Sequence, residues 1–176
     1  RALANRLHDG GFRYFLTQDF EAAKDYLRER YGEASTSRYG LIPSSKDKVL
    51  PGFGVDNTFQ TTKRLHVGPW FNAPATSLES CCQLSSVGTE FVVQGLELDM
   101  ALLAWGSDLL RADGRWSVAG SRGYKGKVRD PLGMRRNVYR VLLTRGRDGT
   151  VIFVPPTPEF AETQGYLQEC GLRPLS

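Results

Sequence analysis

The stretch Asn137-Val-Tyr-Arg-Val-Leu-Leu-Thr-Arg-Gly-Arg-Asp-Gly-Thr-Val-Ile152 decides how this chain is read. Val138, Val141, Leu142 and Arg145 fall at i, i+3, i+4 and i+7, the spacing of one helix face. The helix ends on Thr144-Arg145, a glycine turn follows, and Thr150 to Val154 is a buried strand. Two explanations fit an arginine at such a corner. A cation at a helix C-terminus gains about 0.3–1 kcal/mol from the helix dipole. Alternatively, Arg145 projects from the strand-end side of the sheet, where open α/β folds bind ligands.

Outward from that corner, helix and strand alternate. A helix over Arg1 to His8 is ended by Asp9-Gly10-Gly11, and Phe12 to Leu16 is a short apolar strand. Asp19 is placed to cap a helix that runs to Tyr31, with Phe20, Ala23, Leu27 and Tyr31 on one face and Gly32 closing it. Ser37 to Pro43 and Ser80 to Leu84 read as strands. Residues 44–77 hold Pro and Gly among scattered aromatics and predict a long irregular insertion with one short helix. Val87 to Gln94 reads as a short helix or turn. Met100 to Trp105 is a continuous apolar run that fits a central parallel strand. Asp113-Gly114 marks a hairpin, and a basic loop covers about 115–130. A helix starts at Pro131, and the last helix, begun at Thr157 or Pro158, ends at Gly171. The expectation is one domain over 1–176, a three-layer α/β fold around a mostly parallel sheet.

The 176 residues suffice for one hydrophobic core, and no apolar run reaches the roughly 18–20 residues of a membrane span. The amphipathic opening is not a signal peptide, and a chain that starts at Arg1 fits a fragment of something longer. Cys81, Cys82 and Cys170 form no CxxC pair, and His8 and His66 are the only histidines, so no metal site is expected. Buried free thiols place the protein in the reducing cytoplasm. The net charge of +4 is uneven. Residues 121–147 hold Arg122, Lys125, Lys127, Arg129, Arg135, Arg136, Arg140, Arg145 and Arg147 against Asp130 alone, leaving the rest of the chain acidic. Such a block suits a polyanion partner, although a solvated surface would also explain it.

A second stretch, Thr89-Glu-Phe-Val-Val-Gln-Gly-Leu-Glu-Leu-Asp99, precedes the buried strand, and its Gly95 permits a tight turn or close backbone approach. Thr89 with Gln94-Gly95-Leu96-Glu97 resembles motif V of superfamily 1 helicases of the UvrD/RecD type, and the run from Asn137 to Arg147 resembles their motif VI. Over most of its length the chain is similar to the bacterial domain of unknown function 2075, a DNA/RNA-helicase-like family related to Schlafen helicase domains. Ser44-Ser45-Lys46, Lys63-Arg64, Val67-Gly68-Pro69-Trp70, Thr89-Glu90-Phe91, Gln94 to Asp99 and the run from Tyr139 to Gly149 carry that likeness.

The resemblance implies the second RecA-like domain of such an enzyme. Arg145 would be the arginine finger, and Gln94, Gly95 and Glu97 would lie towards the nucleotide, with Glu97 near the ribose. Thr89, Ser44 and Ser45 would lie near the strand backbone, and the charge block adds Arg122, Lys125 and Lys127. Phe91 stands where many UvrD-type proteins have a histidine, and Gly146 replaces the commoner alanine, a mild change.

No Gly-x-x-x-x-Gly-Lys-Ser/Thr occurs in these residues; Ser121-Arg-Gly-Tyr-Lys-Gly-Lys-Val128 lacks the first glycine and the final hydroxyl. The cradle for ATP and Mg2+ would therefore come from another RecA-like domain, N-terminal in this family, and this chain alone is expected to be inactive. The expected polymer is DNA or RNA, single-stranded. The alternative is a non-catalytic nucleic-acid-binding or protein-interaction module on the same fold. A metabolic enzyme with its own site would need signatures such as Gly-x-Ser-x-Gly or Gly-x-Gly-x-x-Gly, and neither occurs.

Overall fold

The computed structural model describes residues 2–32, 36–124 and 126–175. Its elements run α1 (Ala2–Asp9), β1 (Arg13–Thr17), α2 (Phe20–Tyr31), β2 (Tyr39–Pro43), α3 (Phe59–Thr62), α4 (Val67–Asn72), α5 (Glu90–Val93) and β3 (Leu98–Ala104). A hairpin of β4 (Leu110–Ala112) and β5 (Arg115–Ser117) follows, then α6 (Pro131–Leu143), β6 (Gly146–Phe153), α7 (Ala161–Glu169) and β7 (Arg173–Pro174). The main sheet has the order β2-β3-β6-β1-β7, with every neighbouring pair parallel. Helices flank it in a three-layer α/β arrangement of the RecA-like type.

Side-chain alternation along the strands shows how the layers attach. Phe15 and Phe153 face α2, where Phe15 meets Tyr26 at 5.3 Å and Phe153 meets Phe20 at 5.0 Å between ring centroids. Tyr14 and Thr150, paired in register, point the other way, and both hydroxyls donate to the Leu143 carbonyl at the end of α6. Local chemistry sets the helix ends. The Asp19 carboxylate accepts from the Ala22 amide, Gly32 closes α2 at a φ of 42°, and the Asp130 carboxylate accepts from Gly133 ahead of a helix that opens on Pro131.

Several expectations need correction. Ser80 to Leu84 is not a strand: Cys81–Gln83 form a 3-10 turn, entered through the Ser80 hydroxyl, which accepts from Cys82, and left through Leu84 at a φ of 56°. The 44–77 insertion carries α3, α4 and a 3-10 turn over Leu50–Phe53, more structure than one short helix. Trp70 from α4 is core, packed where a side chain on Gly40 or Gly88 would otherwise sit. The strand expected at Thr150 begins four residues earlier at Gly146, and the two-residue β7 adds an edge that no sequence pattern marks. No described helix is long and apolar enough to cross a membrane.

The start of β6 shows why Gly146 is not a mild change. A Cβ on Gly146 would lie 1.8 Å from the Gly149 carbonyl oxygen. Gly149 itself has a φ of 142°, and its Cβ would lie 1.8 Å from the Arg13 carbonyl oxygen. Two close backbone approaches thus fit the corner between α6 and β6 against β1 and the bulged end of β3. Gly149→Ala should cost about 3 kcal/mol or more, combining backbone strain with displacement of β1. Urea unfolding would read this as a lowered midpoint; an unchanged midpoint would contradict the account.

Candidate functional site

Because all five strands run the same way, the residues before them collect at one edge of the sheet and those after them at the other. The candidate residues divide between these two rims.

The amino rim holds the α6–β6 corner and the turn before β3. Gly95 has a φ of 88°, which lets the chain leave α5 and re-enter the sheet, and the Leu98 amide donates to the Arg145 carbonyl at 2.8 Å. Arg145 is half-buried. Its guanidinium donates to the carbonyls of Val141 at 3.0 Å and Leu96 at 3.4 Å, and to the Thr144 hydroxyl at 3.3 Å. Among the described residues no carboxylate pairs with it. An open concavity of about 410 Å³ is lined by Phe12, Gly95, Leu96, Glu97, Thr144, Arg145, Gly146 and Arg147. Gly95, Glu97 and Arg145 therefore meet, whereas the exposed Gln94 caps α5 outside the lining. Arg147 is tied to Asp99 and Asp148. The edge is the reverse of the one expected: Arg145 precedes its strand, so it lies at the amino ends and not at the carboxyl ends where open α/β sheets commonly bind ligands.

The carboxyl rim holds a buried polar network. Ser44 follows β2, and its hydroxyl donates to Asp108 at 2.5 Å while accepting from Arg135 at 2.9 Å and the Lys46 amide at 3.2 Å. Arg135, on α6 and 2% exposed, also lies 3.2 Å from Asp108 and 3.5 Å from Glu90. Glu90, at the start of α5, accepts from the Ser45 amide at 2.8 Å and the Ser45 hydroxyl at 2.7 Å. Tyr139, one turn beyond Arg135, donates to Asp108 at 2.7 Å and accepts from the Gly106 amide at 2.9 Å. Asp47 accepts from Leu50 and from both donors of Ser107, so the loops after β2 and β3 are cross-linked. A side chain on Gly106 would strike Asp47 at 2.5 Å.

Two buried carboxylates, Glu90 and Asp108, thus share Arg135, the one buried cation among the described residues, while the buried Asp47 is held by Leu50 and Ser107. Burial pushes the Asp108 pKa up, against the pull of Ser44, Tyr139 and Arg135. Burial, with Asp108 beside it, also pushes the Tyr139 phenol well up. The Nε of Arg135 finds no hydrogen-bond partner among the described residues.

Of the expected strand contacts, Ser44 and Ser45 belong to this network, and Arg122 joins it through Asn57. Ser44 is fully buried and committed, Thr89 is buried at the start of α5, and Ser45 is half-buried. Lys46 donates to the Gly123 carbonyl and lies 4.8 Å from the Tyr124 ring. Arg122 donates to the backbone and side chain of Asn57, whose amide in turn holds the Ser44 and Asp47 carbonyls. Lys127 is exposed, and Lys125 lies outside the described residues. Sequence reasoning missed Asp47, Glu90, Asp108, Arg135 and Tyr139. One signal was available: Arg135, Tyr139 and Leu142 stand at i, i+4 and i+7, and these, rather than Val138 and Val141, form the buried face of α6.

No curated protein matches the chain. The family model described as Schlafen group 3, DNA/RNA helicase domain matches residues 2–156, a span that takes in both rims. The chain therefore belongs to the Schlafen group 3 DNA/RNA helicase domain family.

Proposed function

We propose that this chain is the second RecA-like half of an ATP-dependent nucleic-acid motor, with nucleotide at the amino rim and a single strand at the carboxyl rim. The likeness to the domain of unknown function 2075 belongs to the same reading. The observation that carries it is the convergence of Arg145 with Gly95 and Glu97 in one open concavity. A guanidinium that, among the described residues, meets carbonyl and hydroxyl oxygens and pairs with no carboxylate suits an incoming anion. ATP supplies a γ-phosphoryl group for transfer to water. Arg145 would stabilise the charge developing there, and Glu97 would orient the sugar. These residues contain no P-loop sequence, so Mg2+ and most of the phosphate cradle would be held by a second RecA-like domain.

At the other rim, Lys46, Arg122 and Lys127 would meet backbone phosphates, with Ser45 between them. The test is binding of a fluorescent single-stranded oligonucleotide across a salt series. About three phosphate contacts predict a log–log slope near −2, given about −0.7 per contact on single strands. A flat response would contradict a strand at this rim.

A further inference from the structure

The Phe91 side chain stands outside the hydrophobic core. It is 73% exposed, and among the described residues no ring or cation contact involves it. A solitary exposed aromatic is common and by itself means nothing. The backbone beneath this one is not ordinary surface, however. α5 is a single turn whose inner side is fixed by the buried Val93 and by the Glu90 carboxylate, which clasps the amide and hydroxyl of Ser45 while Arg135 approaches it. Phe91, the next residue, is therefore carried outward on a turn that Glu90 ties to Ser45. Phe59, similarly exposed, has Lys63 over its ring, whereas no cation or ring is stacked on Phe91 among the described residues.

We propose that Phe91 is a base-stacking platform: a single-stranded polynucleotide whose phosphates meet Lys46 and Arg122 lays one base on the Phe91 ring. The proposal rests on the reading of the carboxyl rim as the strand site. An aromatic on a rigid support suits this task because every base has a π-face and little side-chain entropy is lost on stacking. The contact is sequence-tolerant and adds nothing to the salt slope, which belongs to the cations.

The test is a titration of the 176-residue chain with two strands of equal length, about 15 nucleotides, one of deoxyadenosine and one of abasic sites. Phe91→Ala should weaken the deoxyadenosine strand about tenfold and the abasic strand less than about twofold, with an unchanged salt slope. Phe91→Tyr should restore the affinity. Exposure of Phe91 means that either variant should fold. Equal losses on both strands would make Phe91 a structural residue and overturn the proposal, as would no loss on either. If the unsubstituted chain binds neither strand at low salt, the reading of the rim fails and the proposal with it.

Discussion

Arg135→Ala is expected to lower folding stability by about 3–5 kcal/mol, the cost of leaving buried carboxylates without their cation. Arg135 reaches Asp108, Glu90 and Ser44 from one guanidinium nitrogen, and no other buried cation is present among the described residues. Its loss would strand two charges and release the loop after β2 and the turn of α5 together. The pH dependence follows from Asp108. Its pKa is already raised in the native state, so the native state holds this proton more tightly than the unfolded chain does. Stability is therefore gained as pH falls through the native pKa towards the unfolded value, and the penalty is full above it. Removing Arg135 raises that pKa further, so the deficit should be greatest near neutral pH and narrow on acidification. Urea midpoints across a pH series would show this; a deficit independent of pH would mean that packing, not charge, is lost. Arg135→Lys keeps the charge without the planar fork and should recover part of the stability, which keeps the test readable if the alanine variant does not fold.

Arg145→Ala should behave in the opposite way, with little loss of stability and a large loss of activity. Its three hydrogen bonds go to helix-end and turn oxygens, and a half-buried cation at a helix C-terminus contributes about 1 kcal/mol or less. As an arginine finger, the same side chain is worth on the order of 10³-fold in kcat. Calorimetry and turnover on the native gene product would separate the two roles. Loss of stability without loss of turnover would return Arg145 to a helix-capping residue. Arg145→Lys should rescue poorly, because a point charge cannot reproduce the guanidinium fork.

The contrast between these arginines shows what is legible in a sequence. Local chemistry was readable: Asp19 and Gly32 bound α2, Pro131 opens α6, and the unbroken run from Met100 announces a buried parallel strand. The meeting of Gly95, Glu97 and Arg145 follows from their places: Glu97 and Arg145 each immediately precede a strand of one parallel sheet, and Gly95 lies in the turn that leads into the first of these. The edge was misread because a helix-to-strand corner lies at the amino ends, while the ligand rule for such sheets concerns the opposite side. The buried network was not readable. Arg135 meets Ser44 across 91 positions and Glu90 across 45, and its i, i+4, i+7 spacing with Tyr139 and Leu142 marks a helix face but names neither partner. The 3-10 turn at Cys81 was lost for another reason: the five residues from Ser80 to Leu84 are too few to carry a decisive period.

The central claim is that Arg145 completes an ATP site whose phosphate cradle lies on another domain. Steady-state ATP hydrolysis, measured with single-stranded DNA or RNA present, tests it most directly. The account predicts turnover by the native gene product, a loss on the order of 10³-fold with Arg145→Ala, and none by these 176 residues alone. Undiminished turnover by the Arg145→Ala protein, or Arg145-dependent turnover by the isolated chain, would contradict it.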